Sequence, residues 1–166
     1  MAESPPIAFD AAVLLALAEK NAIAWQAVRL LRGGIDPEPV MVVTPAPIAD
    51  LAYEVRLAAN ARQTSLGMIA LKSLRSEWGF REVGQRAFDP HVVSHHVAVV
   101  FARRLLRPRC NTSAETVIEA ALQGCRLLLS WDEDLVKIPP DKLKAVLVGL
   151  NLHPLRVMTP LEISRQ

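Results

Sequence analysis

The chain has 166 residues, 51% of them apolar and 22% charged, with a formal net charge of +2. That length predicts a single domain spanning residues 1–166, with a core large enough to need no disulfide or metal staple. The composition excludes a disordered chain, and the apolar run Ala11–Ala18 falls well short of the ~20 residues a membrane span needs.

The first residues carry Glu3 and no basic residue, so no secretory leader is expected and the predicted location is cytoplasmic, with no membrane partner. Cys110 and Cys125 have no metal-type spacing and do not suggest a disulfide framework. The near-neutral total hides an asymmetry. Between Arg56 and Cys110 lie ten basic residues against three acidic ones, Glu77, Glu82 and Asp89. A basic middle suits a polyanion partner; the plain alternative is a set of solvated helix faces.

In chain order, residues 7–9 read as a short strand ending at Asp10. One long apolar helix is predicted over 11–31, stopped by Gly33-Gly34. Residues 40–43 form a short β-branched strand, and Thr44-Pro45-Ala46-Pro47 enters a helix running to about 59. A further helix spans about 64–77, and residues 78–83 are weakly strand-like. Phe88-Asp89-Pro90 opens a helix to about 106, ended by Pro108. Asn111-Thr112-Ser113 caps a helix over about 114–123, with Gly124 behind it. Residues 126–130 are a strand holding three leucines, a helix follows from Pro139-Pro140, and a last strand covers 155–158. Strands separated by helices predict an α/β fold: a three-layer α/β/α sandwich with a mostly parallel central sheet.

Parallel sheets bind ligands beyond the carboxyl ends of their strands. Asp10 and Asp132 both fall there on this reading; the plain alternative for each is a helix N-cap. Asp50 and Glu54 share one helix face, as do Glu115 and Glu119 on another. Carboxylates that converge repel one another unless a cation neutralises them. Oxygen-only ligation suits Mg²⁺ or Mn²⁺, and such ions support phosphodiester hydrolysis.

The segment Ile7-Ala8-Phe9-Asp10-Ala11-Ala12-Val13-Leu14-Leu15 resembles the opening strand-Asp-helix of PIN-domain nucleases. Ile48-Ala49-Asp50-Leu51 resembles that family's second motif, an acid before Leu. Leu127-Leu128-Leu129-Ser130-Trp131-Asp132-Glu133-Asp134-Leu135 is similar to its strand followed by Ser or Thr, any residue, Asp, any residue, Asp-Leu. Met158-Thr159-Pro160 matches the closing strand and Thr-Pro.

The resemblance covers nearly the whole chain and implies a PIN-like fold and an endoribonuclease using Mg²⁺ or Mn²⁺. It implies Asp10, Asp50, Glu119 and Asp132 as catalytic acids. The metal ligands it implies are Asp10, Asp50 and Asp132, with Asp134 and Glu115 assisting. Many bacterial members are VapC-like toxins of toxin–antitoxin pairs that dimerise, which implies an antitoxin protein and a second copy as partners beside RNA. The chain departs from the pattern at two places. Ala12 stands where the family has a polar residue, and the third acid's position falls at about Ser113. Glu115 or Glu119 would have to replace that acid. The alternative expectation is a degenerate PIN-fold module that binds RNA or a protein without cutting.

Arg103, Arg104, Arg107 and Arg109 cluster at one helix end, where they suit either the helix dipole or RNA phosphates. Trp131 suits packing or base stacking. His91, His95 and His96 lack the Glu of a zincin motif and read as structural. The apolar stretch 145–152 is a candidate partner-facing surface.

Overall fold

A buried strand, β1 (Ile7–Phe9), forms the middle of the sheet. The computed structural model describes residues 3–57, 59–106 and 111–166. Around β1 it places β2 (Met41–Val43), β3 (Arg81–Glu82), β4 (Leu127–Leu129) and β5 (Arg156–Met158), in the order β3-β2-β1-β4-β5. Every neighbouring pair is parallel. The order reverses between β1 and β4. That is the switch point where doubly wound sheets open a crevice.

Short strands survive here because both faces are covered. Ile7, Phe9, Met41, Val43 and Leu129 face one core half. There they meet α1 (Ala11–Ala18), α2 (Ala22–Gly34), α3 (Pro45–Leu57) and α4 (Ala61–Ser76) through Leu14, Val28, Leu51 and Leu74. Ala8, Val42 and Leu128 point to the other half. That half is built by α5 (Val92–Leu106), α6 (Asn111–Leu122) and α8 (Pro140–Gly149) through Ala102, Ile118 and Leu147. The period-two alternation along each strand therefore produces the two outer helical layers of the expected α/β/α sandwich. The short α7 (Glu133–Val136) follows β4, and α9 (Pro160–Ser164) closes the chain behind a Thr159–Glu162 capping box.

The predicted single helix over 11–31 is two helices bent by 108°. Lys20 takes a left-handed φ of 60° and Asn21 caps α2 by accepting from Ala24 N–H at 3.1 Å. The Trp25 ring N–H donates to the Leu17 carbonyl at 3.0 Å across the bend. A capping side chain and a left-handed residue end a helix even inside an apolar run.

Other boundaries also moved. Asn111, Thr112 and Ser113 form the first turn of α6 instead of preceding it. Phe88-Asp89-Pro90 lies in a 3₁₀ turn, Gln85–His91, and the helix proper starts at Val92. Within 78–83 only Arg81–Glu82 pairs as a strand. In the stretch 145–152, Val146 and Leu147 are core residues, while Ala145 and Val148 are exposed. Pro108 and Cys110 lie outside the described residues. Cys125 is buried, and burial pushes its thiol up to about 12. Among the described residues no single helix is long and apolar enough to cross a membrane.

Candidate active site

Chain direction brings the first acid to the switch point. β1 ends at Phe9, so Asp10 emerges at its carboxyl end and caps α1, accepting from Val13 N–H at 2.9 Å through Oδ1. Its other oxygen faces the end of β4. Ser130 Oγ donates to Asp10 Oδ2, as do the Trp131 and Asp132 N–H groups at 3.2 and 3.4 Å. The residue is 6% exposed. Burial raises its pKa to about 6, outweighing those donors, and nearby Asp132 adds to the rise.

Asp132 leaves β4 in the same way and caps α7. Its Oδ1 accepts from Asp134 N–H at 2.9 Å, and Ser113 Oγ donates to its Oδ2. The capping alternative raised for Asp10 and Asp132 is therefore correct as to geometry, yet both carboxylates also face one cleft.

Asp50 comes from α3. Gly67 lets α4 approach that helix closely, since a Cβ there would sit 3.0 Å from Val55 Cγ2 and 3.2 Å from the Leu51 carbonyl. With Leu51 buried, Asp50 and Glu54 turn toward the switch point. Burial raises the Asp50 pKa, opposed by a hydrogen bond from the Thr112 side chain and reinforced by Glu115, Asp132 and Glu54.

These residues line one cleft of about 510 Å³. Asp10, Asp50, Glu54 and Asp132 provide its acids, Thr112, Ser113 and Thr116 its hydroxyls, and Ala11, Ala12, Leu15, Tyr53 and Leu135 its apolar wall. Tyr53, Thr112 and Thr116 were not singled out from sequence. The i+3 spacing of Tyr53 from Asp50 was the available signal.

The remaining sequence candidates lie close to Asp50 or Asp132 but make other contacts. Glu119 is 3% exposed and its Oε2 accepts from Ala46 N–H at 2.9 Å, tying α6 to the start of α3. Burial pushes its carboxyl up to about 7. Glu115 pairs with Arg103. Neither is in the cleft lining, although both are near enough to Asp50 to repel it. Asp134 reaches Asp132 through its backbone N–H, and its carboxylate is not part of the lining.

The basic middle is partly neutralised: Arg62 pairs with Glu19, Arg75 with Glu82 at 2.6 Å, and Arg103 with Glu115. Arg104 is exposed, and Arg107 and Arg109 lie outside the described residues, as do the side chains of His91 and His95. Trp131 is half-buried against the core. A second cavity of about 400 Å³, lined by Arg126, Asp141, Lys144, His153 and Arg156, sits at the amino ends of β4 and β5.

Among the described residues no group of three or more His, Cys, Asp or Glu side chains is gathered tightly enough to hold one ion. The donor set is nevertheless all oxygen. Mg²⁺ is ordinarily held by one or two carboxylates with several waters retained, so Asp10 and Asp132 flanking the switch point fit that ion in kind. No protein-family model matches the chain, and no curated protein matches it either.

Proposed function

We propose that the protein is a metal-dependent endoribonuclease of PIN-like type, hydrolysing RNA phosphodiesters in the acid-lined cleft. One observation carries the reading: Asp10, Asp50 and Asp132, remote in sequence, line a single cleft beside the switch point of a parallel sheet. Asp10 and Asp132 would hold Mg²⁺ or Mn²⁺, with Asp50 lining the same cleft. When bound, such an ion activates water and stabilises charge on the leaving oxygen. The chain's own residues prepare that place. Ser130 and three backbone N–H groups fix the Asp10 carboxylate, and Ser113 orients that of Asp132. Exposed Arg104 is the described member of the arginine cluster left to meet the RNA backbone.

The test is cleavage of RNA with Mn²⁺ by wild type and Asp132→Asn. The expected result is metal-dependent product from wild type and none from the variant. Undiminished cleavage by Asp132→Asn refutes the assignment.

A second reading rests on Ser113. The PIN resemblance calls for an acid at about this position, and a neutral hydroxyl occupies it and bonds to Asp132. On that reading the chain binds RNA, or a protein such as an antitoxin, without cutting. RNA binding equal with and without Mn²⁺, and no products, would favour it.

A further inference from the structure

The cavity at the amino ends of β4 and β5 differs in chemistry from the acid-lined cleft. Strand β4 separates the two, with Arg126 before its first residue and Asp132 beyond its last. The cavity holds about 400 Å³, within the range of clefts that take small organic ligands. Three cations line it, each from a different segment: Arg126 before β4, Lys144 on α8 and Arg156 opening β5. Strand pairing fixes the backbones of two of them side by side, since Arg156 N–H donates to the Arg126 carbonyl at 2.9 Å.

Five cations elsewhere in the chain are neutralised: Arg32, Arg62, Arg75, Arg103 and Lys137 each pair with a glutamate. Among the described residues no ion pair involves Arg126, Lys144 or Arg156, although Asp141 lines the same cavity. The start of α8 adds positive potential. Its Pro140 and Asp141 line the cavity, and its N-cap, Pro139, makes no side-chain hydrogen bond to the first-turn N–H groups.

Three cations against one carboxylate leave an excess of two positive charges before His153 is counted. A phosphomonoester is close to a dianion at neutral pH, whereas each phosphate of an RNA backbone carries one charge. A nucleic-acid backbone is met by cations strung along a groove, and here they line one cavity. The rest of the lining suits the rest of such an ester. Asp141 can accept from hydroxyl groups, and Pro140, Pro154 and Leu155 offer apolar surface.

We propose that this cavity binds a sugar phosphomonoester, free or as part of a mononucleotide, with the phosphate held by Arg126, Lys144 and Arg156. This site is independent of the acid-lined cleft and of whether that cleft cuts RNA.

Calorimetric titration of the protein in EDTA tests it, with ribose 5-phosphate, adenosine 5′-monophosphate, inorganic phosphate and ribose as probes. Ribose 5-phosphate is expected to bind about tenfold more tightly than inorganic phosphate, and ribose not to bind. Tighter binding of adenosine monophosphate than of ribose 5-phosphate assigns the mononucleotide; equal or weaker binding assigns the free sugar phosphate. Arg126→Gln and Lys144→Gln are each expected to weaken binding about tenfold, the loss of one charge-assisted hydrogen bond. Both residues are exposed, so the variants are expected to melt as wild type does without ligand. Asp132→Asn is expected to bind the esters as wild type does.

Three results overturn the proposal: neither saturable heat nor a rise in melting temperature with either ester, undiminished affinity in the Arg126→Gln/Lys144→Gln double variant, or equal affinity for inorganic phosphate. Binding lost in Asp132→Asn moves the ligand to the acid-lined cleft and overturns it as well.

Discussion

Ser113 donates its hydroxyl hydrogen bond to Asp132 across nineteen residues of sequence, from the first turn of α6 to the cap of α7. The bond occupies one oxygen of an acid that lines the cleft, and Asp134 N–H occupies the other. On the proposed reading, the state of this pair bears on metal binding.

Replacing Ser113 by Asp puts a second carboxylate against Asp132 at a position only 4% exposed. Without metal the two charges repel in a poorly hydrated place, so the variant is expected to be less stable than wild type in EDTA, by about 2 kcal/mol. Saturating Mn²⁺ should restore its melting temperature and raise it more than that of wild type, because only the metal-bound form gains from the added ligand. Thermal melts with and without Mn²⁺ check this, and equal metal dependence in both proteins contradicts it.

Asp10 and Glu119 make stability fall as pH rises. Asp10 has a pKa of about 6 when folded against 3.8 as a free side chain, so the folded chain holds that proton more tightly. Its contribution is most favourable below pH 3.8 and is lost as pH passes through 6, by about 3 kcal/mol at most. Glu119 adds the same sign between 4.5 and about 7. Urea unfolding of Asp10→Asn and Glu119→Gln across pH 4–8 should show flatter profiles than wild type. A glutamine side chain keeps an acceptor for Ala46 N–H, so Glu119→Gln is expected to be more stable than wild type at pH 8, by about 2 kcal/mol.

Glu115 serves a different purpose from Asp132. It neutralises Arg103, whose side chain is about one-third exposed and whose Nε is buried without a partner among the described residues. Glu115→Gln should cost about 1 kcal/mol of stability and leave Mn²⁺ affinity nearly unchanged. Asp132→Asn should lose Mn²⁺ binding. Calorimetric titration of both variants decides it, and a large loss of affinity in Glu115→Gln would return that residue to the metal site.

The bend between α1 and α2 is held by a residue in the left-handed region. Lys20 has φ of 60° and is exposed, so its side chain offers little packing in return. Lys20→Gly is expected to be stabilising by about 0.5 kcal/mol, the relief of left-handed strain slightly exceeding the entropy of the added glycine. Equilibrium urea melts check the sign.

Local pattern made much of this legible. The apolar trios at 7–9 and 127–129, each followed within three residues by an acid, fix the strand ends and hence put Asp10 and Asp132 at one edge of a parallel sheet. Asp50 and Glu54 on one helix face follow from the 3.6-residue period. The two-sided burial of short strands, and so the sandwich, follows from their unbroken hydrophobicity. None of this needed contacts between distant residues.

Tertiary structure decided the rest. Glu115 and Glu119 share a helical face in sequence, yet one turns to Arg103 and the other to the N–H that opens α3. The rotation of α6 against its neighbours sets that outcome, and helix period alone does not encode rotation. Lys20 and Asn21 broke a run of apolar residues because a cap hydrogen bond and packing on the sheet outweighed helix propensity. Gly67 sets the close approach of α4 to α3, near Leu51, Glu54 and Val55, a contact between helices that local pattern does not encode. The sequence by itself determined which chemistry the strand ends present. Only the packing of helices on the sheet decided which side chains share the space around them, because burial and partner choice are set by contacts between segments far apart in the chain.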